Sequence, residues 1–76
     1  MVIIEFYTRK GCHLCETAEA ELRTLQREKP FTLRIHDIDE DEELRDLYNV
    51  LVPATVLPDG AELHYRIDSA RIKAQL

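Results

Sequence analysis

The chain has 76 residues, the length of one small domain, with 45% hydrophobic and 33% charged residues. Its formal net charge is -5 and its basic residues are scattered, which argues against nucleic acid or an anionic membrane surface as a partner. No apolar run approaches the ~20 residues that span a bilayer, and the first residues lack the basic and apolar regions of a signal peptide. We therefore expect a single domain, residues 1–76, in the cytoplasm.

The first half of the chain predicts a strand, a helix and a second strand. Residues 2–7 form a mostly apolar run, and a helix is predicted to begin after Cys12 and to end before Pro30. Its apolar residues recur at helical spacing, with Cys15 beside them: Leu14, Ala18, Leu22 and Leu25. Residues 31–38 alternate as a strand does. A helix between two strands implies a βαβ unit, in which the strands are parallel.

A second helix is predicted after the second strand. The acidic residues 39–43 fit its N-terminal turn, because carboxylates there cap a helix and oppose its dipole. The apolar stripe of this helix is predicted from Leu44, Leu47, Tyr48 and Leu51.

The last third of the chain predicts a hairpin and a short helix. Strands at residues 54–57 and 62–67 flank a Pro-Asp-Gly turn, so they are expected to pair antiparallel. The polar residues that begin the last helix and the apolar residues that it carries are Asp68, Ser69, Ile72 and Leu76. The resulting order, β-α-β-α-β-β-α, predicts a mixed four-stranded sheet with helices on its faces.

Cys12 and Cys15 are the only two cysteines in the chain. Cys12 lies at the predicted N-terminus of the first helix, where free backbone N–H groups and the helix dipole favour an anion. We expect this position, together with the neighbouring Lys10, to lower the pKa of the Cys12 thiol from about 8.5 and to favour the reactive thiolate. Cys15 follows one helical turn later on the same face, close enough for a disulfide. In a reducing cytoplasm such a pair indicates redox catalysis or metal binding.

Metal binding is the weaker of these two interpretations. A structural zinc site needs about four ligands. Besides the two thiols the chain offers three histidines, and their spacing does not indicate a joint site: His13, His36 and His64. We therefore predict no metal site.

The two residues between the cysteines have open roles. When protonated, His13 would stabilise the Cys12 thiolate and make the pair more oxidising; alternatively, it is a solvated side chain. Leu14 is predicted to be an apolar contact surface for a partner rather than a core residue.

The element order, the Cys-His-Leu-Cys motif after the first strand and Val52-Pro53 before the third strand resemble the thioredoxin fold. The run from Tyr7 to Cys15 resembles its glutaredoxin branch, in particular short glutaredoxin-like proteins with this motif. The resemblance covers nearly the whole chain. It implies an α/β thioredoxin-like (glutaredoxin) fold, with a mixed four-stranded sheet flanked by helices. It also implies a dithiol thiol–disulfide oxidoreductase, in which Cys12 attacks protein or glutathione mixed disulfides and Cys15 resolves the intermediate.

The resemblance also implies where substrate binds. In this fold the peptide bond before Pro53 is cis and faces the cysteines, which leaves the Val52 backbone free to pair with an extended substrate or with glutathione. The substrate-binding or glutathione-binding residues that the resemblance implies are Lys10, His13, Val52, Pro53, Asp68 and Ser69. No cofactor is required, glutathione is the expected electron donor, and a monomer is expected.

The chain departs from the glutaredoxin pattern in two places. His13 and Leu14 replace the Pro-Tyr between the cysteines, and the bulky His64 and Tyr65 replace the Gly-Gly that lets glutathione lie close to the last strand. A protein donor of electrons therefore stays open beside glutathione. Two other functions also stay open: a non-catalytic binding module that keeps this fold, and a dimer that binds an iron–sulfur cluster.

Overall fold

A computed structural model describes residues 2–76. Its strands and helices, in chain order, are β1 (Ile3–Thr8), α1 (His13–Glu28), β2 (Thr32–Asp37), α2 (Glu42–Tyr48), β3 (Ala54–Val56), β4 (Glu62–His64) and α3 (Ser69–Lys73). The predicted order β-α-β-α-β-β-α is confirmed. A short 3-10 turn, Ile38–Glu40, lies between β2 and α2.

The four strands form one mixed sheet in the order β2-β1-β3-β4. β1 and β2 are parallel, as the helix between them requires, whereas β3 pairs antiparallel with both β1 and β4. The predicted βαβ unit and the predicted hairpin are therefore both confirmed.

One face of the sheet carries the main apolar core. Side chains alternate across a strand, so Ile4 and Phe6 of β1 point to the same face, and both are fully buried. The helix residues that pack with them come from α1 and α3: Ala18, Leu22, Leu25 and Ile72. α2 lies on the opposite face, where the ring of Tyr48 stacks on that of Tyr7 with centroids 4.3 Å apart.

The acidic residues 39–43, predicted to form the first turn of the second helix, are instead shared between the 3-10 turn and α2. The first of them belong to the 3-10 turn, which is capped by the Asp37 side chain, and α2 begins only after Asp41. The Asp41 carboxylate accepts hydrogen bonds from the N–H groups of Glu43 and Leu44. Capping by a carboxylate is thus confirmed, but a single acidic side chain provides it for α2.

The predicted apolar stripe of α2 is shorter than expected and only partly buried. The helix ends at Tyr48, so Leu51 lies beyond it, and none of its residues is buried. Leu47 is 66% exposed. Leu44, Tyr48 and Leu51 are half-buried, so the stripe is covered only in part.

The last strand and the last helix are shorter than predicted. β4 ends at His64 because Tyr65 takes a left-handed backbone conformation, with φ of 70°, and turns the chain away from the sheet. α3 ends at Lys73, so Leu76 packs against the core from beyond the helix rather than on it.

Candidate active site at the Cys12–Cys15 pair

Three connecting segments meet at one edge of the sheet. The register pairs Tyr7 of β1 with Ala54 of β3, and Ala54 with His64 of β4. The residues just outside these pairs therefore lie side by side: Thr8 at the end of β1, Pro53 before β3 and Tyr65 after β4. The loop that leads to the cysteines starts from this edge.

The loop enters α1 through Gly11, whose φ of 75° lies in the left-handed region that favours glycine. Cys12 is the N-cap of α1, with an extended backbone, and its C=O accepts the N–H of Glu16 at 3.1 Å. Its Sγ accepts a hydrogen bond from the N–H of Cys15 at 3.2 Å. A sulfur atom therefore takes the position that a capping oxygen usually holds, facing a free N–H group of the first turn.

The two cysteines form a disulfide, with their Cα atoms 5.2 Å apart. Their exposure differs: Cys15 is 2% exposed, whereas Cys12 is only half-buried. An incoming molecule therefore reaches the sulfur of Cys12 more readily than that of Cys15.

The segment before β3 has the cis Val52–Pro53 bond that the resemblance implies. Pro53 is buried, and its C=O accepts the N–H of Tyr65 at 2.7 Å. Within residues 2–76, neither the N–H nor the C=O of Val52 takes part in a backbone hydrogen bond. Unpaired main-chain groups beside a strand are the groups to which an extended chain can bind.

Arg9 ties the cysteine loop to the segment before β3. Its guanidinium donates two hydrogen bonds to the Asp39 carboxylate, at 2.7 and 3.1 Å, and two to Asn49, at the C=O and Oδ1. These hydrogen bonds lower the pKa of the Asp39 carboxyl below its ordinary value. The same contact raises the pKa of Arg9. Arg9 is therefore a cross-link between the loop and the segment that starts at Asn49.

The other basic residue of the loop, Lys10, is exposed. It lines a shallow cleft of about 290 Å³, whose other charged lining residues are the basic Arg9 and three acidic residues, Glu16, Glu19 and Asp37. His13 is also on the surface, since its side chain is 92% exposed and its Nδ1 lies 3.8 Å from Glu16. Their roles toward a substrate stay predictions.

Asp68 and Ser69 begin α3, as predicted. The Asp68 side chain is the N-cap of this helix and accepts the N–H of Arg71 at 3.1 Å. Ser69 is exposed. One carboxylate oxygen of Asp68 is thus used within the protein, and glutathione binding by these residues stays a prediction.

Each histidine lies beside a different glutamate. His36 lies 2.8 Å from the Glu5 carboxylate on β1, and His64 lies 3.3 Å from Glu62 on β4. Among residues 2–76, no group of three or more His, Cys, Asp or Glu side chains is arranged to hold a metal ion. No helix in that part of the chain is long and apolar enough to cross a membrane.

Two contributors to the site are not evident from the sequence pattern. From the sequence, Arg9 is interpreted as a solvated loop residue, but its guanidinium hydrogen-bonds to Asn49, 40 residues away in the chain. The sequence predicts that Tyr65 is part of a strand. In the structure its hydroxyl donates to the Val50 C=O at 2.7 Å, and its N–H donates to the Pro53 C=O. Neither contact follows a local spacing rule, so only the folded chain reveals it.

Solved structures with the same fold cover nearly the whole chain. A solution structure of protein Ne2328 from Nitrosomonas europaea is 43% identical, with a TM-score of 0.79 over 99% of this chain and 91% of that one. A crystal structure of protein XcR50 from X. campestris is 31% identical, with a TM-score of 0.71 over 93% of this chain and 91% of that one. Thioredoxin-2 of the malaria parasite, 23% identical, matches with a TM-score of 0.71 over 97% of this chain and 80% of that one, which shows the fold alone.

A search of curated proteins finds no match. The family model described as "Glutaredoxin-like domain (DUF836)" matches residues 3–76, which is nearly the whole chain and includes both cysteines and Pro53. The fold is thioredoxin-like, and the chain belongs to the glutaredoxin-like domain family.

Proposed function

We propose that this protein is a dithiol thiol–disulfide oxidoreductase in which Cys12 is the nucleophile and Cys15 the resolving thiol. The observation that carries the proposal is a cysteine pair within disulfide contact at the start of α1, with one sulfur accessible and the other buried. The hydrogen bond from the Cys15 N–H to the Cys12 sulfur supports a thiolate at Cys12, because it is stronger when the acceptor carries charge.

The reaction begins from the reduced pair. The Cys12 thiolate attacks one sulfur of a substrate disulfide, so a Cys12–substrate bond forms, the substrate S–S bond breaks, and the departing thiolate takes a proton from water. Cys15 then loses its proton and attacks Cys12. This step forms the Cys12–Cys15 disulfide and releases the second substrate thiolate, so two electrons have passed from the protein to the substrate.

A donor of two electrons must then reduce the Cys12–Cys15 disulfide. Two molecules of glutathione or one dithiol protein can supply them by the same exchange in reverse, and no other cofactor is required. Glutathione would contact Lys10, Asp68 and Ser69, as the family resemblance implies. The unpaired backbone of Val52 supports an extended substrate beside Pro53.

The test uses the reduced Cys15→Ser variant, which cannot resolve the intermediate. It is mixed separately with glutathione disulfide and with a small peptide disulfide, and the mass of the intact protein is measured. We expect a stable adduct on Cys12, mapped by proteolysis. The matched Cys12→Ser variant retains Cys15 and should form an adduct far more slowly, because Cys15 is buried.

The possible outcomes separate the alternatives. No adduct with either disulfide would contradict the proposal and favour a binding module that keeps the fold without the chemistry. An adduct with the peptide alone would support a protein donor of electrons and remove glutathione from the reaction.

A further inference from the structure

Tyr65 is held in its unusual backbone conformation by two hydrogen bonds to the segment before β3. Its N–H donates to the Pro53 C=O and its hydroxyl to the Val50 C=O, each at 2.7 Å. A φ of 70° is unfavourable for a bulky residue, so the surrounding contacts must fix it. Tyr65 is therefore held against the segment from Val50 to Pro53, which includes the unpaired backbone of Val52.

Although it is anchored through both its N–H and its hydroxyl, Tyr65 is 45% exposed. It lines a groove that begins beside the cysteines, since Leu14 of the Cys-His-Leu-Cys motif is also one of the lining residues. Leu14 is itself 56% exposed. The groove holds about 270 Å³ and is lined by Leu14, Thr17, Ala18, Glu21, Tyr65, Arg66 and Ile67.

The lining indicates the chemistry of the occupant. Three large apolar side chains contribute to it, Leu14, Tyr65 and Ile67, and its one acidic and one basic residue, Glu21 and Arg66, offset each other in charge. A neutral apolar group is therefore favoured over a charged one. The volume lies below the range of about 300–1,000 Å³ typical of sites that enclose a whole small molecule. It suits a single side chain.

We propose that this groove binds an apolar side chain of an extended polypeptide substrate, next to the cysteine that reacts with Cys12, and that Tyr65 and Leu14 determine this specificity. The proposal rests on the oxidoreductase function proposed above. The backbone of Val52 would pair with the main chain of the substrate, while the groove takes a neighbouring side chain. Main-chain pairing combined with a side-chain pocket is how extended peptides are recognised beside a strand.

The test compares two synthetic peptides, each with one cysteine joined by a disulfide to the same chromogenic aromatic thiol. In one peptide leucine flanks the cysteine on both sides, and in the other asparagine does. The reduced protein attacks the peptide sulfur and releases the chromogenic thiolate, whose absorbance gives kcat/KM. We expect the leucine peptide to be preferred by about tenfold or more, the range that a small apolar pocket provides.

Variants assign the preference to the groove. Leu14→Ala and Tyr65→Ala should reduce the ratio of the two kcat/KM values to near one. Tyr65→Phe loses the hydroxyl bond to Val50 but retains the apolar ring and the N–H bond to Pro53, so it should retain most of the ratio. Leu47→Ala is the matched control, because Leu47 is also an exposed leucine, 66% accessible, and lies on α2 away from the groove. It should leave both rates unchanged. Since Leu14 is on the surface, its variant stays informative even if Tyr65→Ala does not fold.

The outcomes distinguish this inference from the function on which it rests. A wild-type protein that reacts with neither peptide contradicts the oxidoreductase function and this inference together. Equal reaction with both peptides contradicts the inference alone. So does a preference that survives in Leu14→Ala.

Discussion

One face of the sheet carries two helices and a closed apolar core, whereas the opposite face carries one short helix and a row of aromatic and charged side chains. On the first face Phe6 and Leu22 are fully buried. On the second, Tyr7 stacks between His36, at 4.8 Å, and Tyr48, at 4.3 Å. α1 is thus attached by apolar burial, but α2 contains no buried residue at all.

The difference indicates a division of roles. The apolar face supplies most of the stability, because burial of large apolar side chains is the dominant favourable contribution to folding. The second face holds α2 through the stack on Tyr48 and through Arg9, which binds Asp39 before the helix and Asn49 after it. Because the chain runs directly from Asn49 to Pro53, these weaker contacts position one side of the candidate site.

Removal of a ring from each face should therefore have very different effects. Phe6→Ala is expected to lower the free energy of unfolding by about 3–5 kcal/mol, because it leaves a cavity in a closed core. Tyr48→Ala is expected to cost only about 1–2 kcal/mol, since it loses one aromatic stack at a half-buried position. Urea unfolding of both oxidised variants, followed by circular dichroism, measures the difference.

If Phe6→Ala does not fold, Ile4→Val replaces it: loss of one methyl group from the closed core is expected to cost about 0.5–1.5 kcal/mol, close to the cost of removing the whole Tyr48 ring from the other face. The comparison would be contradicted if Tyr48→Ala were as destabilising as Phe6→Ala.

The apolar face could be predicted from the sequence because its signals are local. Strand alternation identifies Ile4 and Phe6, and helical spacing identifies Ala18, Leu22 and Leu25. The position of Cys12 at the start of α1 follows from the same helix pattern. The cis bond of the Val-Pro pair forty residues later could be predicted only from the family resemblance.

The second face could not be predicted in the same way. Helical spacing in α2 suggested a buried stripe, but spacing does not reveal whether a second layer covers it. Arg9 and Tyr65 bind backbone carbonyls of Asn49 and Val50, and any residue there offers a carbonyl, so the sequence carries no mark of these contacts. The cysteine pair at the start of α1 could thus be predicted from the sequence, whereas the contacts that position its surroundings could not.

The aromatic stack predicts a loss of stability at alkaline pH. Burial, followed by the charge of Glu5, raises the pKa of Tyr7, and burial, followed by the charge of Glu62, raises that of Tyr48. Both phenols ionise near pH 10 in the unfolded chain, so their contribution is complete below about pH 10 and is lost as the pH rises through the higher folded values. Tyr48→Phe cannot ionise and should lose less.

Urea midpoints of the oxidised wild type and Tyr48→Phe, measured at about pH 8 and about pH 11, test this effect. An equal drop in both proteins would show that ionisation of Tyr48 does not contribute.

The smallest expected effect concerns Arg9 and appears at acidic pH. Because Arg9 lowers the pKa of Asp39, the ionised pair stabilises the fold above the ordinary carboxyl pKa of about 4, and this stabilisation is lost as the pH falls through the folded value. Arg9→Lys keeps a positive charge but cannot reproduce the paired hydrogen bonds to both Asp39 and Asn49. Its urea midpoint should lie below that of the wild type at about pH 6, and the gap should narrow toward about pH 2, where only the hydrogen bonds to Asn49 still distinguish the two proteins.

Arg23→Lys is the matched control for this prediction, since Arg23 lies 3.8 Å from Glu19 on the surface of α1, and within residues 2–76 its polar contacts are to other α1 residues, Glu19 and Gln26. A surface pair of this kind contributes little, so its variant should show no such gap. Arg9→Lys should also accelerate hydrogen exchange at the Leu51 N–H, which donates to the Tyr48 C=O at 2.8 Å beside Asn49. Unchanged exchange at Leu51 would mean that Arg9 stabilises the 3-10 turn alone, and that the segment before β3 is positioned by Tyr65 without it.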